Sequence, residues 1–296
     1  MDACAGGGTV AIDGTGAYVR ASWQRGARLY WRHPVRHAGR WFAFMARRLR
    51  GDRLLHLRNG SGHALVSPRD NFTAMAVAVL GERDPDIMRL LRRHVRTGET
   101  VFDVGANIGT YTLPLAHLVG SGGRVVAFEP NRRTRACLRH NVRANRLGQV
   151  VIVASAAGPE AGRVTLVAPN QNLGEVHVRP DEHGAVPMTT LDAEAVRLGC
   201  GAVSFIKLDI EGFELAALRG AMAILRGSPR ILVQTEVVPS HAARFGHSWE
   251  DLRGFFAELG FASHACDPAG RLVAQPDFKA EVGDWFWLRP DNIRDA

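Results

Sequence analysis

A chain of 296 residues with 46% hydrophobic side chains has the length for one α/β domain plus an accessory segment and can bury a sizeable core. Its formal charge of +8 is uneven, because residues 1–50 hold nine arginines against two acids and leave the remainder nearly neutral. Cys4, Cys137, Cys200 and Cys266 form no Cys-x-x-Cys pair, which sets aside a zinc centre or a disulfide framework and points to reduced thiols in a cytoplasmic protein; no apolar run reaches the roughly 20 residues that span a bilayer.

Residues 1 to about 20 are rich in Gly, Ala and Thr and are expected to lack fixed structure. Residues 21–50 interleave arginine with Trp23, Tyr30, Trp31, Trp41, Phe42 and Phe44, and Arg36 to Arg50 has the pattern of a basic amphipathic helix. Three readings compete: a cap helix whose aromatics pack on the main domain, a peripheral membrane contact, and a nucleic-acid contact. The first is preferred, the second stays open, and no nucleic-acid partner is expected. His56 to Val66 reads as a hairpin around Asn59-Gly60, and Asn71 to Leu80 as a short buried helix. Pro85 to Val95 reads as a helix with Asp84 as its N-cap.

Thr100 to Val104 is a β-branched, apolar run, hence a buried parallel strand. Gly105, Asn107 and Gly109 then turn the chain into a helix over Thr110 to Val119, and the strand Arg124 to Phe128 ends at Glu129, 20 residues after Gly109. Strand, glycine turn, helix, strand and acid in this order fit a bound nucleoside, with the turn and helix start facing a carboxylate or phosphate and the acid gripping ribose hydroxyls. A dinucleotide needs backbone at the second glycine of Gly-x-Gly, where this chain has Asn107. S-adenosylmethionine has no phosphate there, which favours the methyl donor over a nicotinamide cofactor. Asp103 either meets the ligand or only pins the turn.

Further on, Thr134 to Leu147 reads as a helix and Val150 to Ala154 as a strand. Arg163 to Val167, Glu175 to Val178 and Val186 to Leu191 alternate with period two, a β-rich excursion. Ser204 to Ile210 and Arg230 to Val237 are core strands, with helices over Glu214 to Leu225 and Ser248 to Leu259, and Phe261 to Cys266 and Asp284 to Leu288 close the sheet. The alternation predicts a Rossmann-like, doubly wound, mostly parallel sheet with an N-terminal cap segment and a β-rich insertion. The division expected is residues 1–80 as extension and cap and residues 81–296 as the cofactor-binding domain.

Ligands of such sheets lie beyond the carboxyl ends of the strands, where Asp103, Glu129, Ser155, Asp209, Glu211 and Glu236 fall. A sulfonium is cationic, so an acidic rim suits a methyl donor. Strand alternation puts Lys207, Asp209 and Glu211 on one face. Asp209 is the candidate base or substrate orienter with Lys207 tuning it, against a purely structural ion pair; Glu211 either assists or caps the next helix through Gly212. Asp209, Glu211 and Glu236 could share a divalent cation in an oxygen-rich rim, yet no compact ligand motif supports one and no metal is expected. Asp192 either borders the pocket or caps a helix. His177, His183, His241 and His247 read as surface residues, and Asn170-Gln-Asn-Leu-Gly174 as a polar loop that selects the acceptor or is merely a loop.

Asp103-Val-Gly-Ala-Asn-Ile-Gly-Thr-Tyr111, Phe128-Glu-Pro130, Thr190-Leu-Asp192 and Ile206-Lys-Leu-Asp-Ile-Glu-Gly-Phe-Glu214 resemble the FkbM-type S-adenosylmethionine-dependent methyltransferases, from about Gly81 to about Glu236. The resemblance implies a class I methyltransferase fold with a reversed last strand. It implies cofactor contacts for Asp103, Gly105, Asn107, Gly109 and Glu129, to which the strand-end position adds Ser155. It also implies transfer to a hydroxyl of a sugar-containing or natural-product small molecule. The rivals are an NAD-dependent oxidoreductase, opposed by Asn107 and the absence of a Tyr-x-x-x-Lys pair, and a non-catalytic methyltransferase-like module tethered by its basic N-terminus.

Overall fold

The computed structural model describes residues 34–50, 54–71, 73–168, 176–275 and 282–291. The expectations placed on residues 1–20, on Trp23, Tyr30 and Trp31, and on the loop Asn170 to Gly174 lie outside the described residues. No helix among the described residues is long and apolar enough to cross a membrane.

Chain order gives a helix at Pro34–Leu49, β1 (Leu54–Arg58), β2 (Ala64–Pro68) and helices at Thr73–Leu80 and Pro85–His94. Then come β3 (Thr100–Val104), a helix at Thr112–Val119, β4 (Arg124–Phe128), a helix at Arg132–Ala144 and β5 (Val150–Val153). The excursion is β6 (Ala156–Ala157), β7 (Gly162–Val167), β8 (His177–Pro180) and β9 (Val186–Thr189). After the helix Leu191–Arg197 the chain forms β10 (Val203–Leu208), helices Glu214–Arg219 and Met222–Gly227, and β11 (Leu232–Val237). Helices Pro239–Ala243 and Trp249–Glu258, β12 (Ala262–Cys266), β13 (Leu272–Ala274) and β14 (Gly283–Leu288) complete it.

The central sheet has the order β13-β12-β14-β11-β10-β3-β4-β5. Strands β11, β10, β3, β4 and β5 run parallel, and β14 runs against β11, which is the reversed strand the resemblance implied. The edge hairpin of β12 with β13 was not foreseen. Side chains alternate between two covered faces, as in a doubly wound sheet. Phe102, Val104, Val126, Phe128, Ile206 and Leu208 pack on one side with Leu191, Leu218 and Phe256. Val101, Val125 and Phe205 pack on the other with Leu90, Tyr111 and Leu115. The chain leaves β3 for β4 on one side and returns to β10 on the other, so the crevice at the carboxyl ends of these strands is the topological switch point.

The excursion is a separate sheet of order β6-β9-β7-β8 around Val164, Val178 and Phe213. The N-terminal elements form no isolated core: Phe44, Leu55, Leu65 and Val77 pack with Ile108, Leu113, Leu138 and Val142. Asn141 fastens them polarly. It accepts from Val66 N at 2.7 Å and donates to Val66 O at 3.0 Å and to Ile108 O at 2.8 Å, so a side-chain amide stands where a neighbouring strand would otherwise be.

Local expectations needed correction at several ends. The helix expected over Glu214 to Leu225 is two, split near Gly220, where a Cβ would lie 2.2 Å from Gly158 O. Asp192 starts the second by accepting from Ala223 N at 2.8 Å and Ile224 N at 2.9 Å, so it serves as a helix cap. Asp84 makes no capping bond; its backbone is left-handed at φ 51° and its carboxylate accepts from Tyr111 OH at 3.0 Å. Strand β9 stops at Thr189 because Thr190 caps the following helix.

Candidate active site

The first loop of the site is held by its own backbone. Gly105 N and Ala106 N both donate to Phe128 O, at 3.1 and 2.9 Å, which folds the chain after β3 over the end of β4. Gly105 has φ 85°, and a Cβ there would lie 2.1 Å from Asp209 O. The close approach that requires glycine is therefore to the β10 loop. Gly109, at φ 95°, packs against Leu138 and does not line the crevice.

Asn107 adopts φ 53° and divides its groups between two neighbours. Its N–H donates to Glu129 Oε2 at 2.7 Å, and its Oδ1 accepts from Asn71 Nδ2 at 2.6 Å. Glu129 also accepts from Asn131 N at 2.8 Å, so two backbone donors aim the carboxylate. Burial outweighs them and lifts its pKa to about 7.

The crevice at the strand ends holds about 700 Å³ of empty space, open solvent at its mouth included. Gly105, Asn107, Glu129, Asp209 and Glu211 line it from the strand ends, and Ala156, Leu166, Val178 and Phe213 form an apolar wall to which the excursion contributes. Ser155 is not among the lining residues.

Asp103 and Lys207 sit behind the crevice. Both share the strand face of Val101 and Phe205, which is the side occupied by Tyr111 and Leu115. Asp103 is fully buried and accepts from Thr112 Oγ1 at 2.6 Å, which is the turn-pinning role. Its carboxyl is raised by burial, against the opposing pull of Lys207 and Thr112. Lys207 Nζ lies 3.1 Å from Asp209 Oδ2, 3.9 Å from Asp103 Oδ1 and 4.8 Å from the Tyr111 ring centre. Burial disfavours its charge, yet the two carboxylates more than offset this and hold its pKa above the ordinary lysine value.

Asp209 also meets Arg83 Nη2 at 3.1 Å. Burial alone would raise its carboxyl; the charges of Lys207 and Arg83 overcome that and hold it well below the usual carboxylate range. Glu236 behaves oppositely: burial, then the charges of Asp209, Glu211 and Asp284, push it well above the usual range. A protonated Glu236 donates to Asp209, consistent with the hydrogen bond between them. Oxygens of Asp209, Glu211 and Glu236 lie within 4.8 Å of one another. That spacing suits an oxygen-ligated cation, although Arg83 and Lys207 already supply counter-charge.

Strand alternation does not carry through to Glu211, because β10 ends at Leu208 and Glu211 has φ 60°. Glu211 turns to His241, whose Nδ1 lies 3.0 Å from its Oε2. The helix-capping alternative for Glu211 fails: the helix beginning at Glu214 has no side-chain cap, and the loop is held by Glu214, which accepts from Ile210 N at 3.0 Å and Gly212 N at 3.2 Å. Two residues here escaped sequence reasoning. Arg83 carries no motif, and His241 read as a surface histidine yet is buried beside Glu211. The sequence carries no signal for Arg83, which stands between two helices, and for His241 the signal was its place just after β11.

A family model described as the methyltransferase FkbM domain matches residues 103–263. A hexuronic acid methyltransferase, AglP, of Haloferax volcanii is 26% identical over 155 residues, which are 51% of this chain and 62% of that protein. Among solved structures, an O-methyltransferase of Bacillus cereus in complex with S-adenosylhomocysteine is 14% identical with a TM-score of 0.41, covering 70% of this chain and 81% of that one. A precorrin-6y C5,15-methyltransferase of Geobacter metallireducens is 12% identical with a TM-score of 0.41, covering 69% and 87%. The chain belongs to the FkbM methyltransferase family.

Proposed function

We propose that this enzyme methylates a hydroxyl oxygen of a sugar-containing or natural-product small molecule. The observation that carries the reading is the Glu129 carboxylate, lining the crevice and already oriented by Asn107 N and Asn131 N. The residues fit the cofactor. Glu129 would hold the ribose hydroxyls, the Gly105–Asn107 backbone the methionine end, and the apolar wall at Ala156, Leu166 and Val178 the adenine. The acidic rim matches a cationic sulfonium, and bound S-adenosylmethionine supplies an electrophilic methyl group. Sugar hydroxyls as acceptors draw support from the hexuronic acid methyltransferase among the relatives.

Methyl transfer is an in-line displacement, so the protein has to align the acceptor and remove one proton. Asp209, held by Lys207 and Arg83, keeps its charge and takes up protons poorly; it suits orienting the acceptor and facing the sulfonium. Proton removal falls to Glu211, with the His241 Nδ1 lying 3.0 Å behind it. Asp103 and Lys207 act through Asp209 and the turn, and Ser155 carries no role in this scheme.

Calorimetric titration of the full chain with S-adenosylhomocysteine tests the reading. Binding is expected for the parent and lost in Glu129→Ala. Because the bound form uses the carboxylate and Glu129 titrates near 7, affinity should rise with pH, roughly tenfold from pH 6 to pH 8. A Glu129→Ala variant that binds as the parent does would overturn this seating. Candidate acceptors, beginning with uronic-acid oligosaccharides, are then screened for transfer of a labelled methyl group.

A further inference from the structure

A short link, Gly81 to Asp84, joins the helices Thr73–Leu80 and Pro85–His94 and carries Arg83 into the crevice wall. Its path is fixed at both ends. Gly81 and Asp84 have left-handed backbone, at φ 92° and 51°, and the Asp84 carboxylate accepts from Tyr111 OH. Arg83 spans from this link to the end of β10: its Nε lies 3.4 Å from Asp84 Oδ2 and its Nη2 3.1 Å from Asp209 Oδ2. The side chain stays 24% exposed. A guanidinium has five N–H donors, so two such contacts leave donors for a third partner.

Charge and position identify that partner. Arg83 is the one cationic side chain among the described residues that line the crevice, against the acids Glu129, Asp209 and Glu211. Those acids match the sulfonium and ammonium groups of S-adenosylmethionine but repel its carboxylate, the single anionic group of that molecule. A carboxylate taken out of water needs a charged, hydrogen-bonding partner, and the planar guanidinium fork suits it. The arginine also stands at the fitting end of the crevice. Asp209, which it grips, has its backbone against the glycine turn, with its carbonyl oxygen 2.1 Å from a Cβ placed on Gly105. The guanidinium is therefore beside the Gly105–Asn107 backbone proposed for the methionine end.

We propose that Arg83 binds the carboxylate of the methyl donor's methionine end, an assignment that rests on reading the crevice as the seat of that cofactor. The test is calorimetric titration of the full chain with two ligands that differ only in this group, S-adenosylhomocysteine and decarboxylated S-adenosylhomocysteine. The parent is compared with Arg83→Gln and Arg83→Lys.

The parent is expected to prefer S-adenosylhomocysteine by roughly 10- to 100-fold, the worth of a charge-assisted pair. Arg83→Gln should lose that preference while binding the decarboxylated ligand as the parent does, and Arg83→Lys should keep part of it, having the charge without the fork. An arginine that only steadied Asp209 would weaken both ligands together and leave their ratio unchanged. A parent without preference, a preference retained in Arg83→Gln, or a parallel loss of both ligands in the two variants overturns the proposal. A parent that binds neither ligand overturns the cofactor's seating, and this assignment with it. Glu129→Ala separates the two readings, because it should weaken both ligands equally and leave the preference intact.

Discussion

Among the carboxyls that burial raises, Glu129 and Glu214 serve different ends. Glu129 faces the crevice, whereas Glu214 is buried in the loop after β10, where it accepts two backbone N–H groups; burial lifts both to about 7. A raised folded-state value means that the protonated carboxyl stabilises the fold. For Glu214 this contribution is complete below the ordinary value of 4.5 and is lost as pH rises through about 7. Glu214→Gln keeps an oxygen acceptor for Ile210 N and Gly212 N and removes the buried charge. Its thermal unfolding should occur above that of the parent at pH 8, by up to about 3 kcal/mol, with the advantage gone at pH 5. An offset independent of pH would show that the loop, and not the charge, sets the difference.

At the scale of single elements, the strand-end loops were legible because their signals are local. The Gly105 to Gly109 turn, the acid at Glu129 and the alternating excursion all announce themselves within a few residues. Orientation was less legible. Asp103 and Asp209 are both acids near strand ends, and only the faces covered by helices show that one pins a turn while the other reaches the crevice. Gly105 tests the loop geometry directly. Gly105→Ala meets a carbonyl at 2.1 Å with φ at 85°, and is expected to destabilise by at least ~3 kcal/mol in chemical denaturation. Gly254, inside the helix Trp249–Glu258 with nothing within 4 Å of an added Cβ, should gain ~0.5–1 kcal/mol as alanine. Equal effects at the two sites would mean that the contact with Asp209 O relaxes freely.

Over the whole molecule, the contacts hidden from sequence reasoning are those between distant segments. Asn141 and Asn145 read as polar residues on a helix, yet they hydrogen-bond the backbone of β2 across 75 and 81 positions. Arg83 reaches Asp209 and His241 reaches Glu211 with no periodic pattern to signal either. Asn141→Ala leaves Val66 N, Val66 O and Ile108 O without this partner, a cost of about 3 kcal/mol. Limited proteolysis should then cut at the β1–β2 hairpin well before global unfolding; parent-like cleavage would show that the apolar contacts of Phe44, Leu65 and Val66 hold the segment unaided.

The amide of Asn71 donates across to Asn107, and the backbone N–H of Asn107 is the one that aims Glu129. Solvent exchange at that single hydrogen is therefore a gauge of two events. Its protection should fall whenever the N-terminal elements lift away, because a left-handed asparagine without its tether relaxes and releases the carboxylate. It should rise when ligand occupies the crevice and the same carboxylate is locked in place. One nucleus would thus report, in the folded enzyme, how firmly the outer helix and hairpin are seated while the methyl donor comes and goes.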